Sequence, residues 1–98
     1  MYRVILSKQT IKDKSFLKAA GLEQKARDLL NIIRENPFQN PPPYEKLVGN
    51  LRGYYFRRIN VRHRLVYEVF GNAEQNKDHA GILYKGIVIV ARMWTHYE

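Results

Sequence analysis

Two periods of apolar and polar residues follow one another along the first part of the chain. The stretch YRVILS alternates and is rich in β-branched side chains, which predicts a first strand over residues 2–6. The stretch KQTIKDKSFLKAAG then predicts a helix, with Ser7 as its N-cap and Gly21 at its C-terminal cap. The chain is therefore predicted to begin with a strand that leads directly into a helix.

The next segment, LEQKARDLLNIIREN, predicts a second helix. Its apolar residues recur at i, i+4, i+7, i+8 and i+11 and form one stripe, namely Leu22, Ala26, Leu29, Leu30 and Ile33. Pro37 ends this helix at Asn36, because the residue before a proline disfavours the α region.

The four prolines of the protein all follow this helix, at Pro37, Pro41, Pro42 and Pro43. A run of three prolines favours a stiff polyproline II stretch over a flexible linker. We interpret the segment as a rigid strap, which is expected to hold residues 44–46 in a fixed position.

The remaining sequence predicts strands. LRGYYFRRIN and HRLVYEVF are β-rich runs separated by Val61 and Arg62, which predicts an antiparallel hairpin. Residues 71–81 are polar and rich in turn formers, so they predict a surface loop. The last run, ILYKGIVIVARMW, predicts a central strand because both of its alternating sets begin as apolar, and Gly86 is a candidate bulge.

The order β-α-α-β-β-β predicts an α+β fold, in which two N-terminal helices pack on one face of a small, mostly antiparallel sheet. The 98 residues suit one domain, spanning 1–98, because a chain of this length buries enough surface for a single core.

Alternation along each strand assigns its side chains to the two faces of the sheet. In RLVYEVF, the face covered by the helices is predicted to contain Leu65, Tyr67 and Val69. In the last strand, one face is predicted to contain Ile87, Ile89, Ala91 and Met93, and the other Val88, Val90, Arg92, Trp94 and His96. Arg64 begins its strand and His96 ends its own, so antiparallel pairing is expected to bring them together on the helix-free face.

The charge of the chain changes the picture from fold to partner. Seventeen Lys and Arg against nine Asp and Glu give a net charge of +8. Such an excess predicts an anionic partner: nucleic acid first, with an anionic membrane, an acidic protein or a merely solubilising surface as alternatives. The absence of cysteine excludes disulfides, cysteine nucleophiles and thiolate metal sites. The absence of cysteine, of a long apolar run and of a signal-peptide pattern leads us to expect a cytoplasmic protein.

Glu45, Arg64 and His96 together form a minimum set for cleavage of RNA. A base takes the proton of a ribose 2′-hydroxyl, a cation stabilises the charge on the phosphate, and an acid protonates the leaving oxygen. No metal or other cofactor is required. Each residue also has an ordinary structural interpretation, and His63 competes as the relevant imidazole. Spacing alone does not choose between these alternatives.

Two motifs carry a resemblance to a known family. The string LRGYYFRRINVRHRLVYEV with a terminal THY, preceded by PYEKL, resembles the YoeB/Txe family of bacterial toxins within the RelE superfamily. The resemblance covers Pro37 to Phe70 and Val88 to Tyr97, and is loose over the first 35 residues, where only the element order agrees. It implies a RelE-like fold and a ribosome-dependent mRNA endonuclease that leaves a 2′,3′-cyclic phosphate and is inhibited by an antitoxin.

The resemblance also implies roles for residues at matching positions. Glu45 corresponds to the general base, Arg64 to the arginine that stabilises the transition state, and His96 to the general acid. Tyr97 corresponds to a tyrosine that positions the substrate, and Arg58 to another basic residue of the site. The implied partners are an acidic antitoxin of the YefM/Axe kind, the ribosome and its mRNA, and a second copy in a homodimer, with no membrane.

Four features depart from the family pattern. Val48 stands where a lysine is frequent, with Lys46 and Arg52 nearby as substitutes. Trp94 replaces a basic residue and is expected to stack on RNA instead. The connection from Phe70 to Ile87 is longer than the usual hairpin, and Glu98 follows the usual final tyrosine.

Two other functions agree with the same charge and aromatic residues. One is a basic RNA- or ribosome-binding module without catalysis, which inhibits translation. The other is a ribonuclease that acts without the ribosome, although a 98-residue domain has little surface for binding RNA by itself.

Overall fold

The computed structural model describes residues 1–71 and 81–95. Its helices are α1 (Lys8–Ala19) and α2 (Glu23–Glu35), with a 3₁₀ turn at Gly49–Leu51. Its strands are β1 (Arg3–Leu6), β2 (Glu45–Lys46), β3 (Tyr54–Arg58), β4 (His63–Gly71) and β5 (Gly86–Thr95). Most of the predicted surface loop, together with His96, Tyr97 and Glu98, lies outside the described residues.

The strands form one mixed sheet in the order β1-β5-β4-β3-β2. β1 is parallel to β5, and the other three pairings are antiparallel. The predicted α+β fold is confirmed, as are the β3–β4 hairpin and the central position of β5. The sequence analysis did not foresee β2, because a strand of two residues has no period to detect.

Helix α1 has the caps that its sequence predicts. The backbone N–H of Thr10 donates to the Ser7 hydroxyl over 3.1 Å. At the other end Gly21 adopts a φ of +73°, which favours glycine. Leu22 N–H then donates to Leu17 C=O over 2.8 Å, and Gly21 N–H to Lys18 C=O over 3.1 Å. These two bonds form the Schellman motif that ends the helix.

Polar side chains attach α1 to the outer edge of β5. β1 pairs with β5 only as far as Val90. Beyond that point the Thr10 hydroxyl donates to Val90 C=O over 2.8 Å, and the Ser7 hydroxyl donates to Ala91 C=O over 2.9 Å. The Asp13 carboxylate accepts the Met93 N–H over 3.0 Å. Side chains of α1 thus pair with backbone groups that a further strand would otherwise satisfy.

The core lies between the helices and one face of the sheet. Both helices contribute to it, and the apolar stripe of α2 is confirmed, because Ala26 and Ile33 are buried and Leu22, Leu29 and Leu30 pack against the same cluster. The sheet contributes mainly Leu65, Tyr67, Val88, Val90 and Met93.

A bulge in β5 overturns the predicted assignment of its faces. Tyr67 pairs with Val90 whereas Val66 pairs with Arg92, so Ala91 is an extra residue at this point. Met93 therefore shares the core face with Val88 and Val90, and only 2% of it is exposed. Trp94 instead lies opposite Arg64, on the helix-free face. Uninterrupted alternation was wrong because one inserted residue reverses every side chain after it.

Gly86 is not the bulge that the sequence suggested. It begins β5 opposite Gly71. A Cβ atom at Gly86 would overlap the backbone carbonyl of Phe70 and would lie 3.0 Å from the Tyr2 ring. Gly86 therefore permits a close approach of two strands.

No helix in the two described ranges is long and apolar enough to cross a membrane.

We predict that Gly86→Ala lowers the free energy of unfolding by about 1–3 kcal/mol, the usual cost of overpacking. Gly71→Ala is the matched control, because a Cβ atom there would have open space around it. Urea unfolding of both variants measures the difference. Equal stability of the two would contradict the steric explanation.

Candidate active site

The buried Arg57 side chain joins the proline strap to the sheet. Arg57 is 1% exposed and lies on β3. Its guanidinium donates to the carbonyls of Pro37 over 3.0 Å, Gln39 over 2.8 Å and Pro42 over 2.6 Å. One cation therefore binds three backbone oxygens of the strap, where no regular structure would pair them.

Aromatic rings fill the space between the strap and the sheet. The rings of Phe38, Tyr44 and Tyr55 lie 5.2 to 6.0 Å from one another, and the Arg57 guanidinium lies 5.2 Å from the Tyr44 ring. The Tyr67 hydroxyl donates to Pro37 C=O over 2.7 Å. Burial raises the pKa of Tyr67, so this donor stays protonated.

The strap is held firmly, as predicted, although not as a polyproline II helix. Its Asn40–Pro41 and Pro41–Pro42 peptide bonds are cis, whereas polyproline II bonds are trans. The strap leads directly into β2, the edge strand that begins at Glu45.

Glu45 faces the helix-free side of the sheet at this edge. It pairs with Phe56 of β3, and paired residues of antiparallel strands point to the same side. Glu45 is exposed and lines a small cleft of about 90 Å³ together with Phe56, Arg58 and the end of the strap.

Two arginines share the Phe56 ring. Arg58 and Arg64 are directly opposite each other on β3 and β4. Their guanidinium carbons lie 5.8 and 4.1 Å from the centre of the Phe56 ring. The Arg64 Nε is buried and has no hydrogen-bond partner among the described residues. Glu45, Arg58 and Arg64 are thus gathered around one aromatic ring.

Trp94 extends this surface across β5. It pairs with Arg64, and the Arg92 guanidinium lies 4.5 Å from the centre of its ring. Arg92 in turn donates to the Asp13 carboxylate, from Nε over 3.0 Å and from a terminal nitrogen over 3.3 Å. The Asp13 side chain is 3% exposed, so this ion pair fixes Arg92 from below.

Other predicted site residues lie elsewhere. Lys46 pairs with Tyr55, so it points away from the face that carries Glu45. It lines a separate cavity of about 340 Å³ at the turn between β2 and β3, with Val48 and Arg52. His96 and Tyr97 lie outside the described residues, so the structure places neither of them relative to Glu45 and Arg64.

His63 lies on the helix side of the sheet, two residues before the buried Leu65. Its Nδ1 is 3.0 Å from the Asn60 side-chain oxygen, in the turn that connects β3 to β4. His63 is therefore separated from the cluster around Phe56 by the sheet itself.

Tyr54 and Glu68 form a polar pair on the helix-free face. A side-chain hydrogen bond with Glu68, and then the charge of that carboxylate, raise the pKa of Tyr54. The pair lies farther along the sheet than the arginines, so Glu68 does not neutralise them. Within residues 1–71 and 81–95, no three His, Asp or Glu side chains come close enough to bind a metal ion.

The arrangement suits an anionic substrate. Within the described residues, the ion pairs are Arg27–Glu23 and Arg92–Asp13. Neither involves Arg58 or Arg64, so both guanidiniums are available to phosphate oxygens. The Glu45 carboxylate beside them can accept a proton.

A family sequence model, the YoeB-like toxin of bacterial type II toxin-antitoxin systems, matches residues 7–79. The chain belongs to this YoeB-like family. The toxin YoeB of Synechocystis is 42% identical over 57 residues, 58% of this chain and 59% of that protein. The toxin YoeB of Escherichia coli K12 is 41% identical over 46 residues, 47% of this chain and 55% of that protein. The matches thus span less than two thirds of these curated relatives.

Solved structures agree over nearly the whole length. A YoeB/ParE toxin from Agrobacterium tumefaciens has a TM-score of 0.76 at 26% identity, covering 97% of this chain and 99% of that chain. A YoeB dimer from Staphylococcus aureus has a TM-score of 0.70 at 30% identity, covering 98% of both chains. YafQ from E. coli, at 17% identity and a TM-score of 0.71, shares the RelE-like fold, with 98% of this chain and 94% of that chain covered.

Sequence reasoning overlooked Arg57, on which the strap of this YoeB-like chain depends. Arg57 and Arg58 are adjacent and identical in type, but they point to opposite faces of β3. Alternation did contain the signal, because Arg57 pairs with the core residue Leu65. A cation in register with a buried leucine predicts a buried cation, which must find acceptors.

We predict that Arg57→Met lowers the free energy of unfolding by about 3 kcal/mol, because buried carbonyls of the strap lose a charged donor. Arg58→Met is the control, since it removes the same charge from the exposed neighbour. Thermal and urea unfolding measure both. A similar loss in the two variants would show that Arg57 does not anchor the strap.

Proposed function

We propose that this protein is a ribosome-dependent mRNA endonuclease, the toxin component of a type II toxin–antitoxin system. The observation that carries the proposal is the gathering of Glu45, Arg58 and Arg64 around Phe56, on a sheet face that the helices leave free. The membership of the chain in the YoeB-like family supports the same conclusion.

Cleavage proceeds by transesterification, without a metal. Glu45 takes the proton from the ribose 2′-hydroxyl, and that oxygen attacks the adjacent phosphorus. Arg64, assisted by Arg58, stabilises the charge that develops on the phosphate oxygens. His96 protonates the 5′-oxygen as the P–O bond breaks. The products are a 2′,3′-cyclic phosphate and a free 5′-hydroxyl.

Binding of the RNA involves residues beside this set. Tyr97 positions the substrate and Trp94 stacks on it, since Trp94 shares the face of Arg64. Lys46 faces the other side of the sheet edge, so in this proposal it contacts phosphates of the ribosome-bound strand away from the cut. The charge of +8 favours association with ribosomal RNA and mRNA alike.

The proposed antitoxin is an acidic protein of the YefM/Axe kind, whose disordered segment folds across the basic face. Two matching structures are described as YoeB–YefM complexes from S. aureus, one of them heterotetrameric. A third is described as a YoeB dimer, which supports a homodimer as the free form here.

We predict that Glu45→Gln lowers cleavage of ribosome-bound mRNA by about 10²–10⁴-fold, because it removes the base and leaves the shape unchanged. Primer extension on translating ribosomes measures the cut. Glu68→Gln is the control, since it removes a carboxylate from the same face but farther from the arginines. Full cleavage by Glu45→Gln would refute the assigned base.

We predict that Arg64→Lys keeps the charge but lowers cleavage by at least about tenfold, because an ammonium lacks the planar fork that binds two phosphate oxygens. Growth arrest and primer extension are scored together. Stalled translation on intact mRNA, with the wild-type chain as well, would favour the alternative of a non-catalytic module that binds the ribosome.

A further inference from the structure

A second cavity lies between α1 and the C-terminal part of β5. It measures about 370 Å³, within the size range of small-ligand sites. Its lining combines aromatic, amide, imidazole and guanidinium groups, from Gln9, Asp13, Phe16, His63, Arg92, Met93 and Trp94.

Phe16 is the least expected member of this lining. Gln9, Asp13 and Phe16 are spaced at i, i+4 and i+7, so they share one face of α1. Asp13 on this face is buried, yet 72% of Phe16 is exposed. Core packing therefore does not explain the ring, and it forms an aromatic wall that is open to solvent.

The other aromatic wall, Trp94, is held in place by a built network. The Asp13 carboxylate binds both the Met93 N–H and the Arg92 guanidinium, and Arg92 lies over the indole ring. Because the Asp13 side chain is buried, the position of Trp94 is fixed before any ligand arrives.

We propose that this cavity binds a nucleobase of single-stranded RNA, next to the phosphate that is cut. The inference rests on the proposed function and adds a base-binding site to it. Phe16 and Trp94 supply stacking surfaces, and Gln9 and His63 supply groups that hydrogen-bond a base edge. Trp94 lies directly opposite Arg64, so the cavity adjoins the phosphate-binding cluster. The net charge of +8 favours a polyanion over a neutral aromatic ligand.

The chain offers a direct probe, because Trp94 is its only tryptophan. The full-length protein is titrated with a short 2′-O-methyl oligoribonucleotide, which has no free 2′-hydroxyl and cannot be cut by transesterification. We expect the bases to quench Trp94 fluorescence, and an abasic oligonucleotide of equal length and charge to quench it far less. Equal quenching by the two, or none by the base-bearing strand, would overturn the proposal.

Phe16→Ala is expected to weaken the binding of the base-bearing strand about tenfold, as loss of one stacking surface does. Phe16→Tyr is expected to bind as the wild type does. Ile11→Ala is the matched control, because Ile11 is also exposed on α1, at 58%, but does not line the cavity. Circular dichroism melting confirms that each variant is folded.

The outcomes separate the two proposals. Quenching together with full cleavage by Glu45→Gln would retain the base site and reject the assigned base. A Phe16→Ala variant that binds the strand normally but escapes its antitoxin would assign Phe16 to a protein interface and overturn the base site.

Discussion

The position of the site depends on the bond between one buried guanidinium and three carbonyl oxygens. Arg57 holds the proline strap against β3, and the strap continues into β2 at Glu45. A two-residue edge strand has little stability of its own. Without Arg57, Glu45 would belong to a loose loop. The same strand then places Arg58 on the other face, so adjacent arginines separate the tasks of structure and substrate binding.

A second constraint acts at the opposite edge of the sheet. Here α1 covers β5 with Ser7, Thr10 and Asp13, whose side chains bond to the backbone at Val90, Ala91 and Met93. These bonds hold the part of β5 that contains the bulge. The bulge in turn moves Trp94 to the face of Arg64. Polar contacts, rather than apolar burial, thus determine both ends of the candidate site.

Most of the fold was predictable because it depends on local periods and caps. The stripe of α2, the Ser7 cap and the β3–β4 hairpin each follow from short-range patterns. The bulge at Ala91 was not predictable, since nothing in GIVIVARMW distinguishes an extra residue from continued alternation. Glu45 and Arg64 entered through a resemblance to a family, and the structure adds that Phe56 brings Arg64 and Arg58 together. His96 and Tyr97 remain predictions.

The pairing of Arg58 with Arg64 explains why such a site is suited to binding anions. Like charges directly opposite each other on two strands destabilise a sheet. The Phe56 ring offsets part of this cost by contacting both cations through its face, and it does so without neutralising them. A carboxylate between them would stabilise the sheet further but would compete with phosphate. Glu45 stands at the rim of the cleft instead, where it is close enough to act on a hydroxyl while the two arginines stay free of an ion pair within the described residues. An aromatic ring is therefore the better partner for cations that must later bind RNA.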